Sequence, residues 1–202
     1  MISEDFSGLV DTNEADGPRA RLGGLDVVRK ERAVEDRREE AEARLADRLW
    51  ADLTAALLSD PPPPLRAIVN QLQVPRLRHD SAPERPEPER LSARRLLEQI
   101  FVQTAFYLPR DFAAKHDFLR AELAIRLAAE LKPDRAGVAW YNLACFRATA
   151  GDRKGALDSL KSAVKNGYRD VEVIEGDPDL VSLHGENGYR AIVTELKARP
   201  TS

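Results

Sequence analysis

A chain of 202 residues with 31 basic against 34 acidic side chains carries a net charge of -3, so it lacks the excess of Lys and Arg that a general nucleic-acid binder needs. Charged residues make up 32% of it and aromatics 6%, which predicts much solvated helix surface around one good core or two small ones. The single cysteine, Cys145, excludes a disulfide within the chain, and no run approaches the roughly 20 apolar residues of a membrane-spanning helix.

The opening residues, MISEDFSGLVDTNEADG, have neither a basic head nor an apolar run. They do not read as a secretory signal, and a cytoplasmic placement is expected; a tail of a longer gene product is the other reading. Residues 1–24 are polar, with Gly17-Pro18 and Gly23-Gly24, and are expected to be a disordered tail. From Leu25 to Ser59 neither Gly nor Pro occurs and Ala, Glu, Arg and Leu dominate, which predicts one long helix. Its first half is nearly all charge, with Glu40 and Arg44 spaced for a helix-surface pair. In its second half Leu45, Leu49, Leu53 and Leu57 fall at steps of four, with Trp50 beside them. That face either folds back on the rest of the chain or pairs with a second copy, giving a homo-oligomer.

Prolines 61 to 64 end the helix, and LRAIVNQL from Leu65 to Leu72 predicts a short one. Residues 25–74 thus form a first helical segment. The dense prolines and charges of 75–88 then read as a linker. Helix resumes near Glu89 and runs to about Tyr107, with Leu96, Leu97, Ile100, Phe101 and Thr104 on its buried side. A kink or break is expected at Pro109, whose ring and missing N–H disrupt a helix interior. The next helix is expected from Phe118 to Leu131, stopped by Pro133. Trp140, Leu143, Ala144 and Phe146 stripe another, and Ala156, Leu157, Leu160, Ala163 and Val164 the one after, with Gly151-Asp152 as the turn between. Strand signals are nearly absent, so the class is all-α.

The pattern repeats at an offset of 35 residues: Ala121, Ile125 and Ala128 precede Ala156, Leu160 and Ala163 by that step, and Asp117 precedes Asp152. These residues, with Trp140, Leu143 and Ala144, resemble a tetratricopeptide repeat. The tail resembles the closing segment of a bacterial tetratricopeptide end-of-group module, through Asn166-Gly167-Tyr168, Asp170, Asp177-Pro178-Asp179-Leu180, Leu183 and Tyr189. In it Asp177 is expected to cap a short helix begun by Pro178, and Asn187 to cap a last helix to Ala198. The resemblance covers about residues 92–197. It implies antiparallel helix hairpins forming an α-solenoid fragment over 89–198, with the last helix as its cap.

Candidate chemistry is sparse. His79, His116 and His184 sit in separate loops at no metal-ligand spacing, and no phosphate loop, serine elbow or HExxH occurs. Cys145 has no evident activator. No cofactor, metal or catalytic residue is expected, and a direct enzymatic role is not. By resemblance, Phe106, Tyr141, Asn142, Cys145 and Thr149 line a concave surface that binds a protein or peptide partner. Asn142 matches a position that clamps a peptide carboxylate in some family members, although the further Lys and Arg of such a clamp are missing. The expected function is a non-catalytic interaction or scaffold module; the alternative is an accessory domain of a hydrolase or kinase system whose catalytic part lies elsewhere.

Overall fold

The computed structural model describes residues 18–198, and every regular element among them is helical. The first helix, α1 (Pro18–Leu58), begins before the expected Leu25. Of the tail expected over 1–24, residues 1–17 lie outside the described residues and 18–24 are already helix. The chain divides into two units between Leu45 and Ala46.

In the first unit α1 buries no residue from Asp26 to Leu45. Val27, Val28 and Val34 are all more than half exposed. Support is local: strong helix formers, and an Arg44–Glu40 pair at 2.8 Å, worth about 0.2–0.5 kcal/mol.

In the second unit the remainder of α1 has a packed face. Leu49, Leu53, Ala56 and Leu57 are buried, at the steps of one helix stripe. Of the residues named for a possible homo-oligomer, Leu45, Leu49, Trp50, Leu53 and Leu57, three leucines are instead enclosed within one chain, and Trp50, at 42% exposure, keeps the most surface. Beyond the helix end, Arg120 reaches back. Its Nε donates to the Leu57 carbonyl at 2.8 Å and its Nη2 to that of Ser59 at 2.9 Å, placing a cation at the negative pole of α1.

Helix α2 (Leu65–Gln71) forms as expected around buried Ile68. Helix α3 (Val74–Asp80) does not follow expectation, because 75–88 was to be a linker. Pro75 stands in its first turn, where no N–H is required, and Val74 and Leu77 are buried. Those two apolar anchors fix a segment that its prolines alone would leave extended. Helix α4 (Glu87–Val102) follows, burying Ala93, Leu96, Leu97, Ile100 and Phe101.

The break expected at Pro109 is absent as well. Helix α4 runs into a π-turn (Gln103–Tyr107) and on into α5 (Leu108–Ala114), with helical backbone at each junction. The π-turn is the reason. Leu108 bonds to the Gln103 carbonyl five residues back, which widens the register and leaves Pro109 in the first turn of α5.

Helix α6 (Phe118–Leu131) matches its expected span, and α7 (Ala136–Thr149) and α8 (Arg153–Lys165) carry the two expected stripes on either side of Gly151-Asp152. The turns after α5 and α7 are the same turn. His116 and Gly151, 35 residues apart, both take left-handed backbone, with φ of 57° and 86°. In each, the next N–H reaches back five residues: Asp117 to Phe112 and Asp152 to Arg147, both at 2.9 Å. In each, that aspartate then caps the following helix, accepting from Arg120 N at 3.1 Å or Gly155 N at 3.0 Å. Ala121, Ile125, Ala128, Ala156, Leu160 and Ala163 are all fully enclosed. The two turns differ at the left-handed position, where His116 carries a Cβ and a ring set edge-on to Phe118 and Gly151 carries neither. His116→Gly is therefore expected to raise stability by about 0.5–1 kcal/mol, read as a higher denaturant midpoint at unchanged slope.

Gly137 fixes a different approach. A Cβ there would lie 2.6 Å from the Tyr168 nitrogen and 2.9 Å from the Asn166 carbonyl oxygen. The start of α7 thus touches the turn after α8, and only glycine fits. The chain closes with α9 (Val171–Gly176), a 3-10 turn (Pro178–Leu183) and α10 (Asn187–Lys197). Asp177 caps the 3-10 turn as expected. The cap of α10 is Glu186 rather than Asn187, with no side-chain bond. Tyr189, Ile192, Val193 and Leu196 of α10 are buried, and the Tyr189 hydroxyl donates to the Ile174 carbonyl at 2.8 Å. No described helix is long and apolar enough to cross a membrane.

Candidate interaction surface

Helix α7 carries four of the five residues expected to line a binding surface, and the structure sends them to three different places. Tyr141 and Cys145 are one turn apart, and both are buried. The tail folds back over them. Tyr168 stacks on Tyr141 with ring centres 4.4 Å apart and planes 3° from parallel. The Tyr141 hydroxyl donates to Asp177 Oδ2 in a short hydrogen bond, and the Cys145 thiol donates to the same oxygen at 3.5 Å. The second oxygen of Asp177 accepts the Asp179 N–H at 2.9 Å. Asp177 therefore ties the closing segment to α7, and this pair of residues is core rather than groove.

Asn142 points the other way. Its amide donates to the Ala105 carbonyl oxygen at 3.1 Å. Pro109, four residues after Ala105, has no N–H to offer that carbonyl, so the side chain supplies what the helix lacks. Thr149 is exposed but turns onto its own helix, donating to Cys145 O or Phe146 O at 3.1 and 3.0 Å. Of the five, only Phe106 stands as an open apolar side chain, 43% exposed. It meets Tyr107 and Phe146 edge-on, at 5.4 and 5.6 Å. Tyr107 is itself 44% exposed, and the Arg110 guanidinium lies 5.7 Å from its ring centre.

Tyr107 and Arg110 were not among the expected surface residues, and Phe146 was expected on the apolar stripe of α7. The π-turn bears on the first two, since it shifts the register by one residue between α4 and α5.

Burial, followed by the hydrogen bond to Asp177, holds the Tyr141 phenol well above the usual tyrosine range. Burial and then the Asp177 charge raise the Cys145 thiol similarly. Tyr168 is pushed up to about 12, by burial and then by Asp170. These groups keep their protons in the folded chain and lose them more readily when unfolded, so their contribution is full below pH 9.0, the ordinary thiol value, and falls as pH rises through it and then through 10.0, the ordinary tyrosine value. Alkaline titration should show late phenolate absorbance appearing together with loss of helical circular dichroism.

Cys145, Asp177 and Asp179 place a thiol and two carboxylates within 4.8 Å of one another. The Tyr141 hydroxyl, the Cys145 thiol and the Asp179 N–H all donate to Asp177, so hydrogen bonding within the chain already brings these groups together. The three histidines stay apart and exposed: His79 lies beside Asp80, His116 against Phe118, His184 on Tyr189.

No family model matches this chain, and no solved structure does. The chain is similar to a chloroplastic protein of Arabidopsis thaliana. The two are 32% identical over 70 residues, which is 35% of this chain and 21% of that protein. The chain thus matches about a fifth of the length of that relative. The likeness to tetratricopeptide repeats rests on the residues themselves.

Proposed function

We propose that this chain is a non-catalytic protein-interaction module built from two tetratricopeptide-like hairpins and a closing segment. The identical turns at His116 and Gly151, 35 residues apart, support the repeat. The observation that carries the function is the aromatic cluster at the surface. Phe106 is 43% exposed and backed edge-on by Tyr107 and Phe146. Exposed aromatics grouped on a rigid helical support are the side chains that dominate binding energy in protein interfaces. The partner is a protein segment that sets an apolar side chain on Phe106, with Arg110 and Thr149 at the rim.

Nucleophilic chemistry is disfavoured by the state of the sole thiol, which is buried and holds its proton. The test is Phe106→Ala with Phe146→Ala. A partner captured from the source cells by the wild-type chain should be lost, with the thermal midpoint nearly unchanged. Capture that persists at wild-type level would exclude this face. Tyr141 and Asn142 are unsuitable for that experiment, since both hold the fold.

A further inference from the structure

Within the second unit, α1 and α4 leave an open groove between them of about 470 Å³. Trp50, Ile100 and Val102 line it with apolar surface, and Asp47 and Gln103 are among its polar lining residues. Each wall is a helix, so its lining residues recur at three- and four-residue steps along both sides. The occupant that matches those steps on both walls is a third helix, set ridge into groove. Trp50, 42% exposed, is the residue type most often found anchoring such contacts.

Charge narrows the occupant further. Two carboxylates line the groove, Asp47 and Glu98. Glu98 is already neutralised by Lys132 and by Arg135, the latter at 2.6 Å. Asp47 has no ion pair among the described residues. One negative charge is left beside an apolar trough.

We propose that this groove takes an amphipathic helix of a partner protein, seating its apolar ridge on Trp50 and Val102 and a Lys or Arg against Asp47. The site is separate from the function proposed above, because neither Phe106 nor any residue of α7 lines it.

The test uses the full chain and two labelled four-turn synthetic peptides. Both carry leucines at i, i+3, i+4 and i+7; one has lysines flanking that ridge, the other glutamates. Fluorescence anisotropy should show the lysine peptide binding at least about tenfold more tightly. Trp50→Ala should weaken it at least about tenfold, and Asp47→Lys should reverse the preference between the peptides. Phe106→Ala with Phe146→Ala should leave all of this unchanged, which keeps the two sites distinguishable. Failure of the wild-type chain to bind either peptide overturns the proposal. So does binding that Trp50→Ala does not weaken, or a preference that Asp47→Lys does not reverse. Sedimentation gives the last outcome: a wild-type dimer that becomes monomeric on Trp50→Ala assigns the groove to a second copy and overturns the proposal as well.

Discussion

Leu53→Ala is expected to destabilise the chain by about 3 kcal/mol, the usual cost of truncating an enclosed leucine. Leu53 has no exposed surface, and it sits in the part of α1 whose leucines recur at steps of four. The loss combines the transfer of the removed methyl groups with the cavity left behind. For a domain of this size it corresponds to a fall in melting temperature of roughly 6–12 °C. The control is Val34→Ala on the exposed part of the same helix, where Val34 is 57% exposed, and where a change within about 0.5 kcal/mol is expected. Chemical denaturation of both variants decides the matter. Equal midpoints would mean that α1 beyond Ala46 does not belong to the core.

Arg147→Lys is expected to cost about 2–3 kcal/mol although it keeps the charge. Arg147 is 9% exposed, and its guanidinium joins three helices. Nη1 donates to Ser159 Oγ at 3.1 Å and to the Gly155 carbonyl at 3.3 Å, while Nη2 donates to Glu122 Oε2 at 3.2 Å. Its Nε lies 3.6 Å from Asp152 Oδ2, and its central carbon lies 5.7 Å from the Phe118 ring centre. An ammonium group is a single point and cannot satisfy groups spread around a planar fork. Ser159, 1% exposed, would be left without its donor, and a buried polar group without a partner is costly. A thermal melt that places Arg147→Lys with the wild-type protein would mean the fork geometry contributes nothing.

Sequence reading succeeded where spacing is regular and failed where it slips. The stripes Ala121–Ile125–Ala128 and Ala156–Leu160–Ala163 are enclosed as the 35-residue offset required, because equal spacing on two helices gives equal faces. The linker reading of 75–88 failed because proline in the first turn of a helix has the opposite meaning from proline in its interior. Pro109 misled for a related reason: the π-turn before it sets the proline in the first turn of α5, where a missing N–H costs little. The candidate surface suffered most. Tyr141 and Cys145 were placed on an open face because nothing in their local pattern shows that residues 168–183 return to cover them. That contact spans more than 30 residues, as the Tyr141–Asp177 bond shows. Arg147 was passed over because a buried arginine on an apolar stripe is indistinguishable, in sequence, from a solvated one.

The bond from Asn142 to Ala105 has a bearing on how this chain tolerates change. Pro109 creates a vacancy in one helix and Asn142, on another, fills it, so neither residue has a fixed worth of its own. While proline stays, a substitution at 142 is penalised through a carbonyl 37 residues away. The two positions are therefore coupled through one carbonyl, and the cost of changing either depends on which residue stands at the other.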